Sequence, residues 1–186
     1  MRFNDHSRIA GTHALLSPSK YSWVNYDEDR LDGMVHASLA ARRGTQLHEL
    51  ASMMIRLGER LPDSRRTLNQ YVNDCIGYRL SPEQTLYYSP LCFGHADAVG
   101  FRKNLLQIFD LKTGVNECKF VQLEIYAALF CLEYDFKPVD IDIELRIYQN
   151  DEVRTLNADP LDIFSIMDKI IFFNRRMNEI NEEVYG

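Results

Sequence analysis

The chain has 186 residues, 46% of them hydrophobic and 26% charged, and a formal net charge of −6. That length fits one domain that buries its core without staples, and the composition is that of an ordinary soluble globular protein. No apolar run approaches a membrane span, and the acidic net charge on its face argues against a nucleic-acid partner, although an average hides local patches.

The first residues, MRFNDHSRIAGTHALL, contain no continuous apolar stretch of the kind a signal peptide needs. An intracellular protein is expected. Cys75, Cys92, Cys118 and Cys131 form no CxxC pair, so four free thiols packed as small hydrophobes are expected rather than a zinc site.

In chain order, Ser17 and Pro18 stand as N-cap and first residue of a short helix whose Trp23 should pack into the core. YDEDRLDG reads as a polar loop. Leu39, Leu47, Leu50, Ala51, Met54 and Leu57 recur at helical spacing and predict a helix over 34–57. Gly44 interrupts it, at a cost of about 1 kcal/mol against alanine, and a glycine there marks a close approach by another backbone. Gly58 is a stop signal. Residues 61–80 predict a second helix with a stripe of Leu68, Tyr71, Val72, Cys75 and Ile76.

The period then changes to two. Residues 83–90, 91–102 and 105–114 read as three strands, the last two joined by a tight turn at Arg102-Lys103-Asn104 into an antiparallel hairpin. Residues 118–136 form a nearly all-apolar, buried helix, 140–151 a half-buried strand, 152–159 a short fifth strand, and 159–184 a long final helix. That order predicts an α/β fold, a central mixed sheet flanked by helices, with residues 1–186 as one domain. Residues 14–80 form its helical part and 82–186 its sheet and helix core.

The stretch GHADAVGFRKNLLQIFDLKTG, residues 94–114, carries the chemistry. Asp97 lies on one strand of the hairpin and Asp110 and Lys112 on the other, two apart and so on one face. Two carboxylates that close repel each other unless a cation lies between them, and a hard cation such as Mg²⁺ or Mn²⁺ prefers oxygen ligands. An ammonium beside a bound phosphate steadies charge or orients water. The same residues also suit a buried Asp–Lys ion pair with no ligand. His48 is a packing residue or a ligand. Gln122 and Tyr126, at i and i+4 on the apolar helix, share a face and need polar partners. Arg42-Arg43, Arg65-Arg66, Arg102-Lys103 and Arg175-Arg176 are basic pairs on an otherwise acidic chain. Each is a solvated face or part of a basic groove for DNA, with Arg42, Arg43, Arg102 and Lys103 as the candidates.

RGTQLHELA, GHADAV, IFDLKTG and QLEIYAALF, in that order, resemble the RecB/Cas4-like branch of the PD-(D/E)XK nuclease superfamily. HALLSPSKYSWVN and the spacing through DLKTG resemble small phage-encoded proteins of that branch. The resemblance runs from about His13 to Lys169. It implies a restriction-endonuclease-like core and a metal-dependent DNA nuclease in which His48, Asp97, Asp110 and the Leu111 carbonyl hold Mg²⁺ or Mn²⁺. Lys112 is then the catalytic lysine, and Gln122 and Tyr126 support the site and contact DNA. The cysteine pattern departs from the iron–sulfur members of the branch, with none before Cys75 and none after Cys131, so no iron–sulfur cluster is expected. No G-x-x-x-x-G-K-[ST] motor motif occurs. The implied partners are single-stranded DNA or duplex ends, with a phage recombinase or single-strand-binding protein as a possible companion, and no membrane; the implied compartment is the cytoplasm, that of the bacterial host if the chain is phage-encoded. A catalytically silent nucleic-acid-binding or protein-interaction module on the same fold is the alternative.

Overall fold

The period-two segments form β1 (Ser81–Ser89), β2 (Cys92–Arg102), β3 (Leu105–Leu111), β4 (Asp142–Gln149) and β5 (Glu152–Asn157), paired in that order into one sheet. The structure is a computed structural model and describes residues 4–185. β1, β2 and β3 make an antiparallel meander, β3 and β4 are parallel, and β4 and β5 are antiparallel. The β2–β3 turn is the expected tight one: Lys103 and Asn104 both have positive φ, 50° and 61°, which matches the twist of the flanking strands. A parallel pair cannot be closed by a hairpin, and the crossover from β3 to β4 contains helix α3 (Val121–Glu133). The other helices are α1 (Glu28–Leu57), α2 (Thr67–Tyr78) and α4 (Pro160–Tyr185).

The chain divides into two compact units, one ending at Arg43 and the other starting at Gly44. The second unit contains the sheet. Alternation along β3 sends Leu106 and Ile108 to one face, where they pack with Leu123 and Ala127 of α3 and Ile163 of α4. Phe109 and Leu111 go to the other face, against Ala51 and Ile55 of α1 and Tyr71, Val72 and Cys75 of α2. Both faces of β3 are therefore covered, which is why it reads as an almost unbroken apolar run. The fold is α/β, a five-stranded mixed open sheet with flanking helices. No helix among the described residues is long and apolar enough to cross a membrane.

Four local expectations change. YDEDRLDG is not all loop: the Arg30 N–H donates to Asp27 Oδ1 at 2.9 Å, so Asp27 caps a helix that starts at Glu28. Glu28 and Asp29 in its first turn favour the positive end of the helix dipole. Ser17 precedes a short 3₁₀ segment, but its hydroxyl pairs with Ser19 Oγ at 2.8 Å instead of capping the backbone. Trp23 is half-buried rather than in a core, its indole N–H donating to the Ser17 carbonyl at 3.0 Å. The second helix starts at Thr67 rather than near Leu61. Its cap comes from far along the chain: the Thr67 N–H and hydroxyl bond Asp151 Oδ1 at 2.8 and 3.0 Å.

Ile108 is fully buried on the central strand. Ile108→Ala should cost about 2–5 kcal/mol, the range for large-to-small core substitutions, seen as a lower urea midpoint with an unchanged slope.

Candidate functional site

Asp97 sits where β2 loses both of its neighbours. On the β3 side the last ladder pair is Ala98–Phe109, and the strands part beyond it. On the β1 side the register passes from Pro82–Ala98 to Gln84–Ala96 and omits Glu83 and Asp97. Glu83 there has a φ of 53°. The register is unchanged across this omitted pair, yet Ala96 and Ala98, which simple alternation would put on one face, belong to different cores. The Leu111 N–H donates to Asp97 Oδ2 at 2.8 Å, so the carboxylate takes the place of the strand acceptor that has moved away. Asp97 Oδ1 lies 3.3 Å from His48 Nδ1 on α1.

Asp110, at the end of β3, is only 3% exposed. The Lys112 ammonium stands 2.9 Å from its Oδ2 and donates to its Oδ1 at 3.1 Å. The ammonium thus reaches both oxygens of a buried carboxylate. Lys112 Nζ also donates to Gln122 Oε1 at 2.8 Å. Gln122 Nε2 reaches the Tyr126 hydroxyl at 3.4 Å, and that hydroxyl donates to the His95 carbonyl at 2.7 Å. A methyl group at Gly94 would come within 2.8 Å of the Tyr126 ring, so glycine there lets the ring lie against β2. The loop after Lys112 is pinned by Gln149, whose Nε2 donates to the carbonyls of Gly114 at 2.6 Å and Asn116 at 2.7 Å.

The structure thus brings His48, Asp97, Asp110, Leu111, Lys112, Gln122 and Tyr126 together. It does not bring Arg102 and Lys103 with them: both are exposed at the turn that closes the other end of the hairpin. Arg42 and Arg43 are exposed on α1 and belong to the other compact unit. Gly44 is approached by a side chain rather than a backbone, since a Cβ there would lie 2.8 Å from Thr113 Oγ1. Glu83 was not singled out by the sequence. As the first residue of an expected strand it reads as an exposed polar end, and no local signal announces its left-handed backbone. Gln149 was missed for the same kind of reason, being one more residue of an alternating strand.

His48, Glu83 and Asp97 each offer a ligand atom, all within 4.8 Å of one another. They open on a groove of about 850 Å³ that is also lined by Gly44, Thr45 and Glu49. An imidazole with carboxylates suits Mn²⁺ or Mg²⁺. The residues fit a divalent cation.

The electrostatics agree. The hydrogen bond to Asp97 raises the His48 pKa, helped by the charges of Asp97, Asp110 and Glu83 and opposed by burial. Burial, then the Asp97 charge, raises the Asp110 pKa, with Lys112 and His48 pulling it down. Burial disfavours the charge on Lys112, but Asp110 and Asp97 outweigh it and the net shift is upward.

No protein-family profile matches the sequence, and no curated protein does. Among solved structures the chain is similar to that of SSO0001, at 12% identity, over 81% of this chain and 69% of that one, with a TM-score of 0.35.

Because these shifts are upward, the folded metal-free site holds more protons than the unfolded chain, and stability falls as pH rises. Ionised Asp110 becomes a cost as pH climbs above 3.8 through its raised value. The His48 contribution is complete below 6.5 and is lost as pH rises through its raised value. The metal-free Tm should therefore drop as pH rises above 6.5, and drop less in His48→Ala; parallel profiles for the two proteins would contradict the His48–Asp97 pairing.

Proposed function

We propose that this chain is a divalent-metal-dependent deoxyribonuclease of the PD-(D/E)XK type, RecB/Cas4-like, that hydrolyses phosphodiester bonds. One observation carries the reading. The residues that the sequence resemblance selects from α1, β2, β3 and α3 meet around a buried acid as two adjoining contact chains, with His48 and Asp97 lining an open groove. One runs His48–Asp97–Leu111 and the other Asp110–Lys112–Gln122–Tyr126. A merely structural Asp–Lys pair does not explain the second carboxylate and the histidine beside it.

His48, Asp97, Asp110 and the Leu111 carbonyl would hold Mg²⁺ or Mn²⁺, which when bound supplies Lewis acidity at the phosphate and makes a bound water more acidic. The chain's own groups do the rest. Lys112 keeps its proton, because its pKa is raised, and so acts as a donor and a positive charge rather than as a general base. Gln122 fixes the ammonium at 2.8 Å, and Tyr126, tied to the His95 carbonyl, backs Gln122. Lys112 thereby orients an attacking water and offsets charge developing on the phosphate oxygens. Hydrolysis is direct, with no covalent enzyme intermediate. The groove leaves Asp97 and Glu83 open to a DNA strand.

A second reading is a catalytically silent nucleic-acid-binding or protein-interaction module. The net charge of −6 and the engagement of Lys112 with Asp110 favour it. It predicts uptake of metal and DNA without product.

Asp110→Ala and Lys112→Ala should each abolish Mn²⁺-dependent cutting of linear or single-stranded DNA, a loss of about a hundredfold or more, while far-UV circular dichroism and cooperative melting persist. Full activity in either variant would refute the assignment.

A further inference from the structure

The apolar pattern of α4 outlasts the core it packs against. From Ile163 the helix places a large apolar residue at alternating steps of three and four, through Ile166, Ile170, Phe173, Met177, Ile180 and Val184. That is the period of a coiled-coil seam. Ile163, Ile166 and Ile170 belong to the core shared with α3. The Ser89 hydroxyl donates to Asn174 Oδ1, and beyond that contact every residue from Arg175 to Val184 is exposed, about 15 Å of helix at 1.5 Å per residue. Phe173, Met177, Ile180 and Val184 are between 37% and 65% exposed. Exposed apolar residues scattered singly need no explanation, but a row of four at seam spacing is a surface for another helix.

The charges beside this seam say which helix fits. Arg175 and Arg176 stand near its start, Glu182 and Glu183 near its end, and Glu179 between them. With Met177 and Val184 as a and Phe173 and Ile180 as d, Arg176 and Glu183 both fall at g, along one edge of the seam. Within its own helix Arg176 Nη1 lies 3.1 Å from Glu179 Oε2 and 3.4 Å from Glu183 Oε1. These are surface pairs of small worth, readily exchanged for another chain's carboxylate. Two copies laid antiparallel match throughout: Met177 faces Ile180 of the second copy, Phe173 faces its Val184, and Arg176 faces its Glu183. Twofold symmetry repeats each contact, so the segment complements itself. Parallel pairing would put Arg176 opposite Asn181 and set the glutamates of the two chains side by side.

We infer that residues 173–184 form an antiparallel two-helix coiled coil with a second copy of this chain. Arg176, which the candidate site does not use, supplies the positive half of a self-complementary charge pattern. A lipid surface fits less well, because it favours basic residues along the polar face and here three glutamates outnumber two arginines. The contact is short, so the dimer is reversible and concentration-dependent. The inference stands apart from the nuclease reading, since none of these residues lines the site.

The test is sedimentation equilibrium of the whole chain from about 1 μM to about 1 mM. The parent should pass from monomer to dimer over that range. Ile180→Glu, at an exposed position outside the core, should weaken dimerisation about tenfold or more. Arg176→Glu alone and Glu183→Arg alone should each weaken it by a similar factor, because each sets like charges across the seam, and an equimolar mixture of the two should restore the dimer. Pairs within one helix cannot produce restoration by mixing. A parent chain still monomeric at about 1 mM would overturn the proposal and leave this face to a different protein or to lipid. A dimer indifferent to Ile180→Glu would overturn α4 as the contact, and charge variants that dimerise as the parent does would overturn the antiparallel arrangement.

Discussion

The bond from the Leu111 N–H to Asp97 Oδ2 is the contact on which the site depends. Where β2 and β3 part after Ala98–Phe109, the end of β3 loses its main-chain partners on that side. Leu111 is buried, and an amide left unpaired there would carry the full desolvation cost. The Asp97 carboxylate meets that need with a charge-assisted bond of about 1.5–3 kcal/mol. One interaction thus closes the split in the sheet and fixes Asp97 beside the Asp110-Leu111-Lys112 run. On the other side β4 holds β3 firmly: Leu111 pairs with Tyr148, and the Lys112 N–H donates to the Tyr148 carbonyl at 2.9 Å. Ligands in open α/β sheets gather beyond the carboxyl ends of parallel strands, and this split lies at the carboxyl end of β3.

The arrangement is electrostatically unbalanced as it stands. Burying Asp110 is costly, and Asp97 beside it adds to the cost. Lys112 relieves part of it and is in turn fixed by Gln122, so its charge is aimed rather than free. In the metal-free protein a proton on His48 offsets part of the remainder, which is why its pKa is raised. On the proposed reading a divalent ion would compete with that proton, so metal uptake would release it.

Positioning comes from parts of the fold that carry no charge. Gly94 lets the Tyr126 ring approach β2, and the buried Gln149 on β4 holds the loop that follows Lys112. α3, which brings Gln122 and Tyr126, is present because β3 and β4 are parallel and need a crossover. The topology and the site are therefore linked: the helix required to connect the strands is the helix that orients the lysine.

Local patterns determined much of this protein. Period-two alternation located the five strands, and the Lys103-Asn104 turn closed the expected hairpin. The order of apolar helices and strands gave the α/β class, and the spacing of Asp110 and Lys112 put both on one face of an expected strand over 105–114, which in the structure ends at Leu111, just before Lys112. These features follow from side-chain periodicity and turn chemistry, which act over a few residues. Tertiary structure alone decided the rest. Asp151 starts α2 from a distant turn, and Asp97 bonds a backbone amide across the parted strands. Arg102 and Lys103 stand at the end of the hairpin away from Asp97, and Glu83, unpaired in the ladder opposite Asp97, stands beside it. The physical reason is the same in each case: a carboxylate takes whichever donor or cation the packed fold puts beside it, and the local sequence does not encode which neighbour that will be.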